Sequence, residues 1–291
     1  MTRRPATQVF DLTGKAVLVT GAASGLGEAI SEAVARRGAR LSLIDINAEG
    51  IQAVAQRLRG EGVEVSVHPC DVSSREALRS AIDDATECQG GLDVVFANAG
   101  IGAGPGFCNP DGSANVTGQV DNLEDDLWDR VLAVNLTAAF TTVQRAAKHM
   151  KNRGKGGRIV VTTSIASSRP TPWIGLPYFP SKAGTAHMVR QLALELAPHN
   201  ITVNAIAPGA FATNIGGGRL KQENVARAMA AGIPLGRVAE PEEVGGLAVF
   251  LASEASAYIT GVEIPIDGGS SLGGTRATAA VAPQGRTNVD S

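Results

Sequence analysis

The chain has 291 residues, 44% hydrophobic and 19% charged, with a formal net charge of −2. That is enough apolar material for a substantial core and unlike a disordered chain. The near-neutral balance argues against nucleic acid or anionic lipid as the main partner, since both demand a basic face. Three cysteines (Cys70, Cys88, Cys108) form no CxxC pair, and no apolar core follows the arginines of the first ten residues. No stretch approaches the roughly 18 apolar residues needed to span a bilayer. A reduced, cytoplasmic setting is the expectation. The four histidines are scattered at spacings unsuited to metal ligation, so no metal site is expected.

Short apolar runs alternate with helical patterns along most of the chain. Strands are predicted over 16–20, 41–44, 63–67, 92–97, 158–163, 201–207 and 263–266, and helices over 25–37, 48–59, 74–88, 123–151, 178–197 and 242–251. Continuous β-branched runs mark strands covered on both faces, and the helices between them supply right-handed crossovers. The expected fold is therefore α/β: one doubly wound parallel sheet, Rossmann-like, of about seven strands with helices on both faces. Two segments break the rhythm. Residues 102–122 are rich in Gly, Pro, Asn and Asp and read as a long loop, and 213–232 reads as a mobile helical excursion. Residues 1–9 are expected to be an N-terminal extension, 10–272 a single cofactor-binding catalytic domain, and 273–291, small and polar, a disordered tail.

The first predicted strand runs into Gly21-Ala22-Ala23-Ser24-Gly25-Leu26-Gly27 and then a helix. Glycines there let the backbone approach a pyrophosphate, whose charge the helix N–H groups and dipole stabilise. The spacing is GxxxGxG rather than GxGxxG, a weak signal by itself. Asp45 closes the second strand 18 residues after Gly27, where an acidic side chain accepts hydrogen bonds from an adenosine ribose; the plain alternative is a cap for the helix that follows. Its charge repels a 2′-phosphate, and Ile46 next to it offers no arginine to hold one, so NAD is expected over NADP. Asp71 and Asn98-Ala99-Gly100 follow the third and fourth strands, at the sheet edge where ligands bind.

Tyr178 and Lys182 are four residues apart at the start of a helix, hence on one face. A free phenol, with a pKa of about 10, is a poor general base at neutral pH, and a lysine ammonium beside it favours the phenolate. Ser164 ends the preceding strand and offers a hydroxyl, with Thr163 and Ser167 as weaker candidates. Asn135 is a polar amide between Val134 and Leu136 in a predicted helix.

Residues 20–27, Asp71, Asn98-Ala99-Gly100, Asn135, Ser164, Tyr178-Phe179-Pro180-Ser181-Lys182 and Pro208-Gly209 together resemble the motif set of the short-chain dehydrogenase/reductase family, in its shorter-chain branch, across 10–272. The resemblance implies an oxidoreductase interconverting a secondary alcohol and a ketone. Tyr178 is then the acid/base, and Ser164 orients the substrate oxygen. Lys182 holds the nicotinamide ribose and lowers the Tyr178 pKa, and Asn135 positions a water in a proton relay. NAD contacts are implied from Gly21, Ser24, Gly25, Leu26, Gly27, Asp45, Ile46, Asp71, Val72, Asn98, Ala99, Gly100, Tyr178, Lys182, Pro208, Gly209, Phe211 and Thr213. A homotetramer built on the helices at 123–151 and 178–197, with the last strand near another interface, is also implied. Ser164 lies 14 residues before Tyr178, one more than is commonest, and 102–122 is longer than usual. An epimerase or dehydratase using the same Tyr/Lys pair, or an idle NAD-binding sensor, are the alternatives. Candidate pocket residues are Ile165, Trp173, Leu176, Phe179, Phe211 and Ile215, with Phe107 from the long loop, which is expected to flank the pocket and help select substrate.

Overall fold

The computed structural model describes residues 8–109 and 112–273, so the expected extension and tail lie almost entirely outside the described residues. Seven strands, β1 (Ala16–Thr20), β2 (Arg40–Asp45), β3 (Val65–Pro69), β4 (Val94–Ala97), β5 (Gly157–Thr162), β6 (Ile201–Pro208) and β7 (Glu263–Ile266), form one sheet in the order β3-β2-β1-β4-β5-β6-β7. Every pairing is parallel. The helices are α1 (Gly25–Ala35), α2 (Ala48–Gly60), α3 (Arg75–Gln89), α4 (Asp125–Leu132), α5 (Ala138–Arg153), α6 (Tyr178–Leu196), α7 (Glu223–Ala230) and α8 (Gly245–Ala252).

The sequence of β1, Ala-Val-Leu-Val-Thr, is buried throughout because the strand alternates between two covered faces. Val17 and Val19 meet Ile30 and Val34 of α1, Ile51 and Leu58 of α2, and Val249 of α8. Leu18 faces the opposite layer, with Leu78 and Ile82 of α3, Val143 of α5 and Val189 of α6. Strand order reverses at β1, whose neighbours are β2 on one side and β4 on the other. The loops leaving β1 and β4 therefore diverge to opposite faces and open a crevice at their carboxyl ends.

Three expectations are modified. The predicted helix 123–151 is two helices joined by a π-helical turn, Ala133–Thr137, centred on Asn135. Such a turn widens the helix to aim one residue at a specific partner. The segment 213–232 is a 3-10 turn, Ile215–Lys221, followed by α7. Within that turn Gly216, Gly217 and Gly218 all have positive φ, which ends the helical periodicity. Finally, 102–122 is not structureless: it holds two 3-10 turns, Val116–Gly118 and Val120–Asn122, and isolated β-bridges.

Candidate active site

The crevice between β1 and β4 continues into a cleft of about 430 Å³. One side is the glycine-rich turn. Gly21 and Gly25 have positive φ. A Cβ on Gly27 would stand 2.0 Å from the Gly21 carbonyl oxygen, so the first turn of α1 is folded onto the end of β1 more tightly than any side chain allows. That cradle fits a pyrophosphate: bare backbone lines it, and α1 begins there with no side-chain cap on its first N–H groups. At the end of β2 the Asp45 carboxylate accepts from Ala23 N (3.0 Å) and Asn47 N (2.9 Å), which ties the glycine-rich turn to the strand. The helix cap itself is Asn47, whose side chain accepts from Gly50 N, so Asp45 is not needed for that job. Asp45 lines the cleft.

A knot of hydrogen bonds closes the crevice floor. The Thr20 hydroxyl accepts from Asn98 N (3.0 Å) and Ala99 N (3.1 Å), while Asn98 Nδ2 donates to Thr20 O (3.1 Å) and Gly21 O (3.4 Å). Asn98 Oδ1 accepts from the Thr162 hydroxyl at 3.0 Å, bringing in β5.

The opposite side carries Ser164, Tyr178 and Lys182. Ser164 follows β5, and its hydroxyl accepts from Ala166 N at 3.1 Å. Tyr178 and Lys182 occupy the first turns of α6, with Lys182 Nζ 5.7 Å from the centre of the Tyr178 ring. Lys182 Nζ donates to Thr162 O at 2.9 Å. Burial drives both groups toward their neutral forms. It raises the Tyr178 phenol above its ordinary value, against the opposing pull of a hydrogen bond with Ser164. It lowers the Lys182 ammonium to about 8, with Glu263 of β7 acting in the other direction. Desolvation is the largest influence on the Tyr178 phenol here, ahead of the hydrogen bond with Ser164.

Of the residues expected to form the site, Gly21, Ser24, Gly25, Leu26, Gly27, Asp45, Asn98, Ala99, Gly100, Ser164, Tyr178, Lys182, Pro208, Gly209, Phe211 and Thr213 line this one cleft. Ile46, Asp71, Val72 and Asn135 do not. Ile46 is exposed beside Asp45, and Asp71 accepts from Ser73 N in an exposed turn. Asn135 is buried. Its Oδ1 accepts from Ile101 N (2.8 Å), and its Nδ2 donates to Ile101 O (3.0 Å) and to the Ser181 hydroxyl (3.3 Å). The side-chain amide of Asn135 is therefore bonded to the chain leaving β4 and to Ser181 of α6. The π-turn aims that amide at the chain leaving β4. Thr163 donates its hydroxyl to Ile206 O, away from the role open to Ser164. Among the candidate pocket residues, Phe211 and Ile215 line the cleft. Sequence reasoning missed Ile101, Gly102, Thr162, Asn214, Gly216 and Leu220, which also line it. Thr162 was accessible from its place at the carboxyl end of a strand, whereas the others sit on irregular loops without a periodic signal.

A family model described as "Enoyl-(Acyl carrier protein) reductase" matches residues 21–271. The sorbose reductase of Schizosaccharomyces pombe is 33% identical over 90% of this chain and 98% of its own. A short-chain type dehydrogenase/reductase from Mycobacterium marinum superposes with a TM-score of 0.82 at 34% identity, over 91% of this chain and 99% of that one. The carveol dehydrogenase of Mycobacterium avium, solved in complex with NAD, gives 0.80 at 28% identity, over 90% and 99%. The chain belongs to the short-chain dehydrogenase/reductase family. Such dehydrogenases use a nicotinamide cofactor, and the homologues' names support action on an alcohol or ketone.

The knot generates a test of its own. Thr20→Val keeps the shape of the side chain but strands the amides of Asn98 and Ala99, at about 1–3 kcal/mol for each buried donor left unpaired. Urea unfolding of this dehydrogenase should show a loss of about 2 kcal/mol or more, with Thr20→Ser close to wild type. Equal stability of the valine variant and wild type would mean the knot contributes nothing.

Proposed function

We propose that the protein is an NAD(H)-dependent oxidoreductase that interconverts an uncharged secondary alcohol and its ketone, with Tyr178 as general acid/base. The observation that carries this reading is the convergence of Ser164, Tyr178 and Lys182 on one side of a cleft whose other side is a glycine cradle. A bound nicotinamide supplies or accepts the hydride. The Ser164 hydroxyl accepts from Ala166 N and is hydrogen-bonded with Tyr178, and since its donation to Pro208 O is long at 3.5 Å, its proton would turn to a substrate oxygen entering beside Tyr178. Tyr178, its phenol raised by burial, is protonated at neutral pH. In ketone reduction it gives that proton to the oxygen as hydride reaches the carbon, and the resulting phenolate is reprotonated from solvent. In alcohol oxidation the phenolate takes the hydroxyl proton. Lys182 would hold a ribose hydroxyl of the cofactor and steady the phenolate while charge is present.

Asp45 supports NAD over NADP, because a 2′-phosphate beside its carboxylate meets like charge. Ile46, 70% exposed, offers no compensating cation. Asp45 and Lys182 are the charged residues among those lining the cleft, while Ile101, Ile215 and Leu220 are apolar. That lining favours an uncharged substrate over a keto acid. A homotetramer is supported by apolar side chains left open on the outer helices, Phe140 of α5 and Leu194 of α6. Three free thiols favour the cytoplasm.

A purified-enzyme screen of polyols, cyclic alcohols and hydroxysteroids, with a keto acid and an enoyl thioester as controls, tests the substrate class. Against the best substrate, Tyr178→Phe should lower kcat by about 10²- to 10⁴-fold with NADH binding nearly unchanged. Because the phenol lies above its ordinary value, the oxidation rate should climb from about pH 6 to pH 10, while reduction stays level and then falls as the acid form is lost. An oxidation rate indifferent to pH over that range would remove Tyr178 from its role. Dissociation constants for both cofactors test the Asp45 argument. NADH should bind at least about tenfold tighter than NADPH, and Asp45→Ala should narrow the gap, since like-charge juxtaposition costs several kcal/mol. Equal affinities in wild type would defeat the assignment. Light scattering at micromolar concentration should give four times the chain mass; a monomer would refute the tetramer.

A further inference from the structure

The long segment after β4 is built against the segment that delivers Tyr178. It starts from Ile101, held on both its N–H and C=O by Asn135, and runs antiparallel to residues 172–175. Gly175 N donates to Gly104 O, Gly106 N to Trp173 O and Cys108 N to Pro172 O, each at 3.1 Å. Pro105 sits opposite Ile174, at the ladder position that requires no N–H from it. The chain then folds back on itself through a Cys108–Ala114 bridge. Asn115 closes this hairpin, its N–H donating to Phe107 O (2.9 Å) and its Nδ2 to Gly106 O (2.7 Å).

Two glycines show how close the pairing is. A Cβ on Gly175 would stand 1.9 Å from Ala103 O, and one on Gly106 would stand 2.2 Å from Pro172 O. Neither has a positive φ, so backbone freedom is not the reason for glycine at these positions. The reason is backbone against backbone, with no room for a side chain. Gly175 also faces the other way: its carbonyl accepts from Tyr178 N at 3.2 Å, in the first turn of a helix that has no side-chain cap. Gly175 thus bonds the hairpin through its N–H and the start of α6 through its carbonyl.

We propose that the paired segment 104–108, stapled by Asn115, is a brace for the catalytic tyrosine, setting through Gly175 how Tyr178 stands toward Ser164, with Gly175 and Gly106 as positioning residues. The inference rests on the role given to Tyr178 under Proposed function. The connection from Ser164 to Tyr178 is long and largely irregular, and its partners for 172–175 come from the hairpin. A displacement of about 1 Å at a reacting group can cost about 10²-fold in rate, so a brace on this connection acts on kcat rather than on cofactor affinity.

The experiment is a double-variant cycle. Gly175→Ala in the full chain forces the hairpin away and should lower kcat at least about tenfold. NADH affinity should stay within about twofold, because the glycine cradle lies on the other side of the cleft. In a chain whose residues 104–118 are replaced by a short glycine-serine linker, kcat should already be low, and Gly175→Ala should add nothing because the pairing of 104–108 with 172–175 that presses Ala103 O against Gly175 is gone. Hydrogen exchange in 173–179 gives a readout independent of turnover: protection should fall in both altered chains while the 20–28 turn stays protected. If Tyr178→Phe remains active, the mechanism fails, but the exchange result still decides whether the hairpin braces this segment. Should Gly175→Ala lose NADH binding, Asn115→Ala replaces it. That change removes a staple without adding atoms, and it should lower kcat with cofactor affinity intact. The proposal is overturned by wild-type kcat in the variant that folds, by an equal loss from Gly175→Ala in both backgrounds, or by unchanged exchange in 173–179.

Discussion

The geometry of the site depends on a single amide, Asn98. Its Nδ2 holds the carbonyls of Thr20 and Gly21 at the end of β1, and its Oδ1 receives the Thr162 hydroxyl from β5. Lys182 Nζ donates to the carbonyl of that same Thr162. The glycine cradle on one side of the crevice and the lysine on the other are therefore fixed to one side chain. In a parallel sheet the strand ends are held only by the last ladder bonds, and the loops beyond them diverge. A three-strand knot at this edge converts diverging loops into a site of defined width. It also explains why a polar residue stands here: Asn98 is already committed to backbone and hydroxyl partners, so its role is to hold the crevice together.

The same edge brings two titratable groups into a place that favours neither charge. Burial raises the phenol of Tyr178 and lowers the ammonium of Lys182 to about 8. Each move opposes ionisation, as desolvation does for an acid and a base alike. The two charged forms support each other, however, since a phenolate stabilises an ammonium close by. An acid that is protonated at rest and a lysine near its titration point suit proton transfer in either direction.

The glycine-rich turn and the start of α6 were legible in the sequence because their constraints are local. The glycines at 21, 25 and 27 follow a buried strand, Asp45 ends the next one, and Tyr178 and Lys182 are separated by one helical turn. Period and spacing suffice for such features. What was not legible depends on partners distant in sequence. Asn135 reads as a polar interruption of a long helix, and only the fold shows a π-turn aiming its amide at Ile101. The rise of the Tyr178 phenol follows from burial, which spacing does not report. Residues 102–122 read as an aperiodic loop because their order comes from bridges to 172–175 rather than from a repeat of their own.

Glycine itself changes meaning across the cleft. At 21 and 25 it supplies positive φ in the turn that leads into α1, and at 216–218 three in succession curl the segment after β6 beside the cleft. Gly102 meets that curl, since a Cβ built on it would stand 3.4 Å from Gly216 N. At 106 and 175 glycine instead removes a side chain so that two backbones can touch. The first use shapes a turn; the second locks one segment to another. One residue type thus serves opposite mechanical ends. Where φ is positive the chain bends, and where φ is ordinary but the approach is below contact distance the chain is clamped. The end of the connection that carries Tyr178 is of the clamped kind, while the segment after β6 is of the bent kind. A site arranged this way holds Tyr178 on clamped backbone and leaves variation in shape to the opposite rim.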